Sequence, residues 1–152
     1  MTVRLGDTAA LELARAHDAL VRRGLAAHRG REVKHTGDGI MAAFTSVAAA
    51  VDFAIAVQRT LADRNESAIT PLEVSIGISA GEPLTDDSQD LFGAAVQLAA
   101  RLCDAASPGH IAVSLAVREL CIGKPFRFDA LGPFALKGMP DPVHAYGVLW
   151  SE

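Results

Sequence analysis

An aspartate between two glycines, Gly37-Asp38-Gly39, separates two short apolar runs, and Lys34 precedes it by four residues. Aspartate carboxylates bind hard cations such as Mg²⁺ through their oxygens. Glycine and aspartate are also favoured in hairpin turns for conformational reasons alone, so one carboxylate does not define a metal site. The stretch predicts a carboxylate at a hairpin tip where a metal ion could reach it, with a lysine on the strand leading in.

A second group of polar side chains belongs to a helix predicted from about Ala94 to Ala106. Gln97 and Arg101 are four residues apart and share one edge of this helix, beside an apolar stripe. Because guanidinium forks match phosphate oxygens, this edge is suited to phosphate recognition, although a surface arginine beside a glutamine is an equally simple interpretation. Lys137 precedes Gly138 in a predicted loop, where its ammonium could reach a phosphate or be solvated.

The histidines and cysteines indicate no further site. Five histidines have no metal-ligand spacing, and two cysteines are too few for a disulfide framework or a zinc site. We interpret the histidines as packing or surface residues and the cysteines as small buried hydrophobes. These residues are His17, His28, His35, His110, His144, Cys103 and Cys121.

Apolar periodicity predicts the elements that must hold these side chains. Asp7 and Ser46 can cap the first two helices, and Gly30 can end the first in the C-cap role. Leu72 to Ala80 alternates as a strand with one buried face. The predicted helices span about 8–28, 46–65, 94–106 and 115–121, and the predicted strands span 31–36, 40–44, 72–80, 110–114 and a pair within 126–150.

This order matches an α+β, ferredoxin-like core with an antiparallel-rich sheet, helices on one face and the first strand missing. The first strand is central in such a sheet, so we expect its slot to be filled by a partner's strand or by re-pairing of the remaining strands. A sheet of normal order with an empty central lane would contradict this expectation.

Size and charge narrow the class of protein. The chain has 152 residues, 50% hydrophobic and 21% charged, with a formal net charge of −4, which predicts one soluble domain over residues 1–152. A negative net charge is not typical of nucleic-acid-binding proteins, which carry basic patches, so we do not expect a nucleic-acid partner. No apolar run approaches the ~20 residues of a membrane span, and the N-terminus has no signal-peptide core, so we expect a cytoplasmic protein without a membrane segment.

Four stretches in this order resemble the catalytic domain of class III nucleotidyl cyclases, the adenylate and guanylate cyclases. Each motif alone would be weak, whereas four at the right intervals are specific, and the resemblance covers essentially the whole chain. The stretches are VKHTGDG at 33–39, VSIGISAG at 74–81, DLFGAAVQLAARL at 90–102 and LKG at 136–138.

The resemblance implies a reaction and the residues that perform it. The family converts a nucleoside triphosphate into its 3′,5′-cyclic monophosphate and pyrophosphate with two Mg²⁺ or Mn²⁺ ions. Asp38 matches the second of two metal-binding aspartates, and Lys34 and Asp90 match the pair that selects the purine. Arg101 matches the arginine that stabilises charge on the α-phosphate, and Lys137 matches the lysine that holds the terminal phosphates.

The resemblance also implies a substrate and an assembly. A carboxylate at Asp90 accepts from an exocyclic amino group and an ammonium at Lys34 donates to a ring nitrogen, which fits adenine, so ATP is the expected substrate. Sites in this family form between two protomers. We therefore expect a homodimer in which Asp38 works with Lys34, Asp90, Arg101 and Lys137 of the partner chain.

Two features differ from the family pattern. The first metal-binding aspartate, on the first strand of the family, has no counterpart in this sequence. Gln97 stands where the family usually has an asparagine that orients the ribose, and its extra methylene changes the reach by about 1.5 Å, which can cost on the order of a hundredfold in rate.

We therefore expect little or no cyclase activity from this chain. The alternative is a non-catalytic cyclase-homology module for regulation or dimerisation. A cyclic-dinucleotide synthase has a similar core, but the acidic Gly-Gly-[Asp/Glu]-Glu-Phe turn of that family is absent from the sequence.

Overall fold

A computed structural model describes residues 7–36, 39–85 and 91–151. Its helices agree with the predicted ones to within about two residues at each end. The elements are α1 (Asp7–Ala27), β1 (Arg31–Thr36), β2 (Gly39–Ala43), α2 (Val47–Asn65), β3 (Ile76–Ile78), β4 (Leu84–Thr85), β5 (Leu91–Phe92), α3 (Ala94–Ala105), β6 (Ile111–Ser114), α4 (Leu115–Leu120), β7 (Phe128–Phe134) and β8 (Val143–Val148). Within these ranges, no helix combines the length and apolar character needed to cross a bilayer.

The described strands form three sheets. A four-stranded sheet has the order β3-β6-β8-β7, and β1-β2 and β4-β5 are separate two-stranded sheets. Strands β3 and β6 pair in parallel, whereas the other pairs are antiparallel. The β4–β5 pair was not predicted, because strands of two residues are too short to show a period.

The β1–β2 hairpin and the four-stranded sheet share a hydrophobic core without sharing a strand pair. One buried cluster consists of side chains from α1, side chains from α2, and Leu72. Ile40 and Ala42 of β2 pack against it, and so do Val74, which precedes β3, and Ile76, which begins β3. Among the described strands, β2 pairs only with β1, and β3 pairs only with β6. The expectation that the remaining strands re-pair across the central lane is therefore wrong for the single chain, and supply of a strand by a partner stays a prediction.

The end of α1 differs from the predicted C-cap. Arg29, and not Gly30, adopts the left-handed conformation, with φ 60°. The Gly30 N–H donates to the Leu25 carbonyl at 2.8 Å. A Cβ at Gly30 would lie 2.6 Å from side-chain atoms of both Leu25 and Phe44, so a larger residue here would have to displace the ends of both side chains.

Strand β3 is covered on both faces, although its alternation predicted one buried face. Ile76 and Ile78 pack against the cluster that contains Val51 and Ala54 of α2. On the opposite face, a Cβ at Gly77 would lie 2.3 Å from the Cys103 nitrogen and 2.4 Å from the Ala99 carbonyl oxygen, both in α3. The expected placement of helices on one face thus holds for α1 and α2, which share a core cluster, while α3 covers the other face.

Small polar side chains form hydrogen bonds between α3 and the residues that flank β3. The Ser75 hydroxyl donates to the Ala106 carbonyl at 3.1 Å, and the Ser79 hydroxyl donates to the Ala95 carbonyl. The Cys103 thiol donates to the Ser75 carbonyl at 3.2 Å. The face of β3 that the alternation did not predict to be buried is therefore hydrogen-bonded to a helix.

A polar cluster joins α1 to β1. The Asp18 carboxylate accepts from His17 Nδ1 at 2.9 Å and from His35 Nε2 at 3.1 Å, and Arg22 donates to Glu32 at 2.8 Å nearby. Burial pushes the pKa of Asp18 upward, but the hydrogen bonds and positive charges of the two histidines outweigh burial and hold the pKa below its usual value. Two histidines interpreted as packing or surface residues are thus partners of one carboxylate.

Gly77→Ala is expected to destabilise the fold by about 2–3 kcal/mol, because the new methyl group collides with helix backbone that cannot rotate away. Urea unfolding followed by circular dichroism measures the change. Gly147→Ala is the matched control, since a Cβ there meets Leu131 at 3.4 Å, an ordinary contact. Equal midpoints for the two variants would contradict the proposed backbone contact.

Asp18→Asn is expected to lower stability at pH 7 on the order of 1 kcal/mol, because the amide loses its charge-assisted bonds to His17 and His35. A carboxylate with a lowered folded-state pKa stabilises above its unfolded pKa, and that stabilisation is lost as pH falls through the folded pKa. The deficit measured by urea unfolding should therefore shrink at pH 3. Asp63→Asn, at an exposed position of α2, is the control. If Asp18→Asn lowers the free energy of unfolding by the same amount at both pH values, the charge of Asp18 does not contribute to stability.

Candidate functional site

Helix α3 presents the predicted polar edge at the surface. Leu102 is fully buried in a cluster with Ala112 and Ala145, and Leu98 packs against the same cluster. This apolar face leaves Gln97 exposed and the Arg101 side chain 30% exposed. The predicted i, i+4 edge is therefore present.

The loop between β7 and β8 forms a turn against this edge. The Met139 N–H donates to the Leu136 carbonyl at 3.1 Å, and Gly138 has φ 81°, which together define a type II turn with glycine at its third position. Leu136 packs against the Leu102 cluster and so fixes the base of the turn. Lys137, the second residue of the turn, is exposed.

Arg101 connects α3 to the turn. Its Nε donates to the Lys137 carbonyl at 3.1 Å, and its Nη1 lies 3.6 Å from the Asp104 carboxylate. Asp104 is 73% exposed, so water screens this ion pair and leaves it weak. Two cationic side chains therefore originate from one small surface, in an arrangement suited to a polyanion.

Gln97 lies under the same turn. A Cβ at Gly138 would come within 2.6 Å of Gln97 Nε2. The amide end of the Gln97 side chain therefore lies next to Gly138. The structure thus brings Gln97, Arg101 and the Lys137 backbone together at one edge of α3. The ribose and phosphate roles expected of these residues stay predictions.

Lys34 lies elsewhere, on the β1–β2 hairpin. It pairs with Met41, while its neighbour His35 contacts Asp18 of α1. A β-bulge between Glu32 and Lys34 interrupts the alternation of side chains there, so Glu32 and His35 both face α1. Lys34, next to His35, projects from the opposite face and is exposed. The chain therefore places the lysine expected to read the base on a different sheet from the group expected to bind phosphate.

Asp38 and Asp90 lie outside the described residues. Gly37 and Asp38 connect the paired residues Thr36 and Gly39, and Asp90 immediately precedes β5. Within the three described ranges, no group of three or more histidine, cysteine, aspartate or glutamate side chains is placed to hold a metal ion. The metal-binding role of Asp38 and the base-selecting role of Asp90 stay predictions.

Sequence reasoning missed three features of this region. Asp104 sits three residues after Arg101, a spacing that signals an ion pair on a helix. Gly138 carries the left-handed turn, and the Lys-Gly pair was a detectable type II signal. The serine contacts with α3 had no local signal, because only the packed fold shows what the polar face of β3 meets.

Comparisons with known proteins agree with this architecture. Residues 8–149 match the family model described as the adenylate and guanylate cyclase catalytic domain. A Rhizobium meliloti (strain 1021) protein named "Putative adenylate cyclase 3" is 35% identical over 127 residues, which is 82% of this chain and 21% of that protein. The chain spans between a fifth and a half of the length of the curated relatives it matches.

Solved structures show the same fold. The adenylate/guanylate cyclase/hydrolase from Silicibacter pomeroyi matches with a TM-score of 0.86 and 30% identity, over 98% of this chain and 90% of that one. The adenylyl cyclase CyaB from P. aeruginosa matches with a TM-score of 0.82 and 24% identity, over 98% and 86%. The predicted α+β cyclase fold is confirmed, and the chain belongs to the adenylate and guanylate cyclase catalytic domain family.

Proposed function

We propose that this chain is an ATP-binding cyclase domain that forms cyclic AMP and pyrophosphate at a homodimer interface, with low turnover on its own. The observation that carries the proposal is the contact between Arg101 and the Lys137 turn at the exposed edge of α3. It anchors the Arg101 guanidinium to the backbone of the turn that carries the exposed Lys137, in a family whose members act on nucleoside triphosphates. Lys34, which we propose to contact the base, lies on the separate β1–β2 sheet.

The proposed reaction forms one bond and breaks one bond at the α-phosphorus. The ribose 3′-oxygen attacks, the bond to the bridging oxygen of the β-phosphate breaks, and the 3′-hydroxyl proton passes to solvent. Negative charge grows on the α-phosphate and on the departing pyrophosphate. Arg101 would stabilise the first charge and Lys137 the second, which is the type of electrostatic assistance that contributes most to catalysis.

Divalent cations are part of the proposal. Mg²⁺ or Mn²⁺ would neutralise phosphate charge when bound. Asp38 is the carboxylate of this chain that would hold such an ion, since oxygen ligands suit both metals. The sequence matches one of the two metal-binding aspartates of the family, and this is the basis for the low turnover that we propose.

Adenine recognition would fall to Lys34 and Asp90. Lys34 points away from α1, on the exposed face of the hairpin, where an ammonium can donate to a ring nitrogen. Asp90 would accept from the exocyclic amino group. Guanine presents the opposite polarity at these positions, so the pair favours ATP over GTP.

A non-catalytic module is the second candidate. The single matched metal-binding aspartate favours it, because loss of one carboxylate weakens metal binding while leaving the fold and the Arg101–Lys137 edge intact. Such a domain would bind nucleotide, or only a partner domain, without chemistry.

Nucleotide binding and turnover separate these candidates. Purified protein with Mn²⁺ and ATP is expected to bind ATP in calorimetry and to form a low but measurable amount of cyclic AMP, whereas the non-catalytic module would form none. Arg101→Ala should weaken binding about tenfold or more through loss of a charged hydrogen-bond donor, whereas Arg127→Ala, at an exposed position before β7, should bind normally. Robust turnover abolished by Asp38→Ala would refute low activity, and failure to bind ATP would refute the nucleotide assignment.

The homodimer is tested by mixing two variants. If Asp38 of one protomer works with Arg101 of the other, then Asp38→Ala and Arg101→Ala should each bind ATP with Mn²⁺ about tenfold or more weakly, so that neither homodimer fills its sites at the ATP concentration that saturates the wild type. An equal, re-equilibrated mixture should recover about one quarter of the wild-type sites, because half the dimers are mixed and each mixed dimer has one intact site. No recovery, with dimers present in sedimentation, would place both residues in one protomer's site.

A further inference from the structure

We propose that Gly138 is a positioning residue, whose left-handed backbone turns the Lys137 carbonyl toward Arg101 and thereby holds the guanidinium in place for the phosphates. The proposal rests on the proposed function for its nucleotide readout. The claim that Gly138 orients Arg101 can be tested without any ligand. It is carried by the turn geometry, the Arg101 hydrogen bond and the space around Gly138.

The type of turn decides where the Lys137 carbonyl points. In a type II turn, the peptide between the second and third residues is flipped relative to a type I turn, so its carbonyl lies on the side where a Cβ of the third residue would project. Gly138 has φ 81°, and the turn closes with the Met139-to-Leu136 hydrogen bond. Both the Lys137 carbonyl and the Cβ direction of Gly138 consequently meet α3, at Arg101 and Gln97.

Two independent constraints favour glycine at this position. An L-residue at φ near +80° is strained whatever space surrounds it. A Cβ would also lie 2.6 Å from Gln97 Nε2, although this flexible side chain could move aside. The backbone constraint is therefore the decisive one, and alanine is expected to convert the turn toward type I.

Such a conversion would release Arg101. Rotation of the central peptide turns the Lys137 carbonyl away from Nε, and the remaining described partner is the exposed carboxylate of Asp104. The charges at 101 and 137 stay unchanged, but the guanidinium loses the contact that orients it. Phosphate binding then requires ordering a long side chain that the wild-type protein holds in advance.

The first test needs no nucleotide. In ¹⁵N NMR, the Arg101 Nε–H should exchange slowly in the wild type and rapidly in Gly138→Ala. Gly123→Ala is the matched control, since Gly123 has φ 88° and a Cβ there would meet nothing within 4 Å, so this variant carries the same backbone strain away from α3. Retention of slow exchange in Gly138→Ala would overturn the proposal.

The second test measures ATP affinity in the same variants with Mn²⁺. Gly138→Ala should weaken binding about tenfold, Gly123→Ala should leave it unchanged, and Gly138→Asn should recover part of it because asparagine tolerates the left-handed region. If Gly138→Ala and Gly123→Ala weaken ATP binding equally, the cause is general destabilisation of the fold, and the proposal is overturned. A wild type that fails to bind ATP but shows the expected Arg101 exchange pattern would refute the proposed function and leave the positioning role standing.

Discussion

The contact between β3 and α3 at Gly77 is the constraint on which the site depends. The two backbones approach so closely that a single methyl group would overlap both a helix nitrogen and a carbonyl oxygen. A contact of this kind has no side-chain freedom to absorb a shift, so helix position follows strand position closely. Because Gln97 and Arg101 lie on α3, this contact determines where their side chains begin. The position of the Lys137 turn depends in part on Leu136, which packs against the cluster that contains Leu102 of the same helix.

Hydrogen bonds reinforce that contact at both ends of the helix. Serine hydroxyls on either side of Gly77 donate to carbonyls near the first and last turns of α3. Carbonyls in the last turn have no intrahelical partner, so Ser75 satisfies one that would otherwise depend on water. The arrangement allows a short helix with no side-chain N-cap to stay in place on the sheet.

Local patterns predicted the parts of the fold that local physics determines. The helix bounds followed from apolar spacing and from caps such as Ser46, whose hydroxyl accepts from the Ala49 N–H as expected. The polar edge with Gln97 and Arg101 followed from i, i+4 spacing. The second covered face of β3 could not be predicted, because serine and glycine signal solvent and close packing equally well. At the end of α1, glycine suggested a left-handed cap, whereas Arg29 takes that conformation and Gly30 packs closely against Leu25 and Phe44. The meeting of Arg101 with Lys137 spans 36 positions, and only the family resemblance indicated it in advance.

The separation of the β1–β2 hairpin from the four-stranded sheet has a consequence for motion. Among the described strands, side-chain packing on α1 and α2 joins the two sheets, and no backbone ladder crosses between them. Ladders open cooperatively, whereas packed faces can slide or separate at lower free energy. The hairpin that carries Lys34 should therefore behave as its own foldon, with amide protons that exchange through a subglobal opening while the other sheet remains closed.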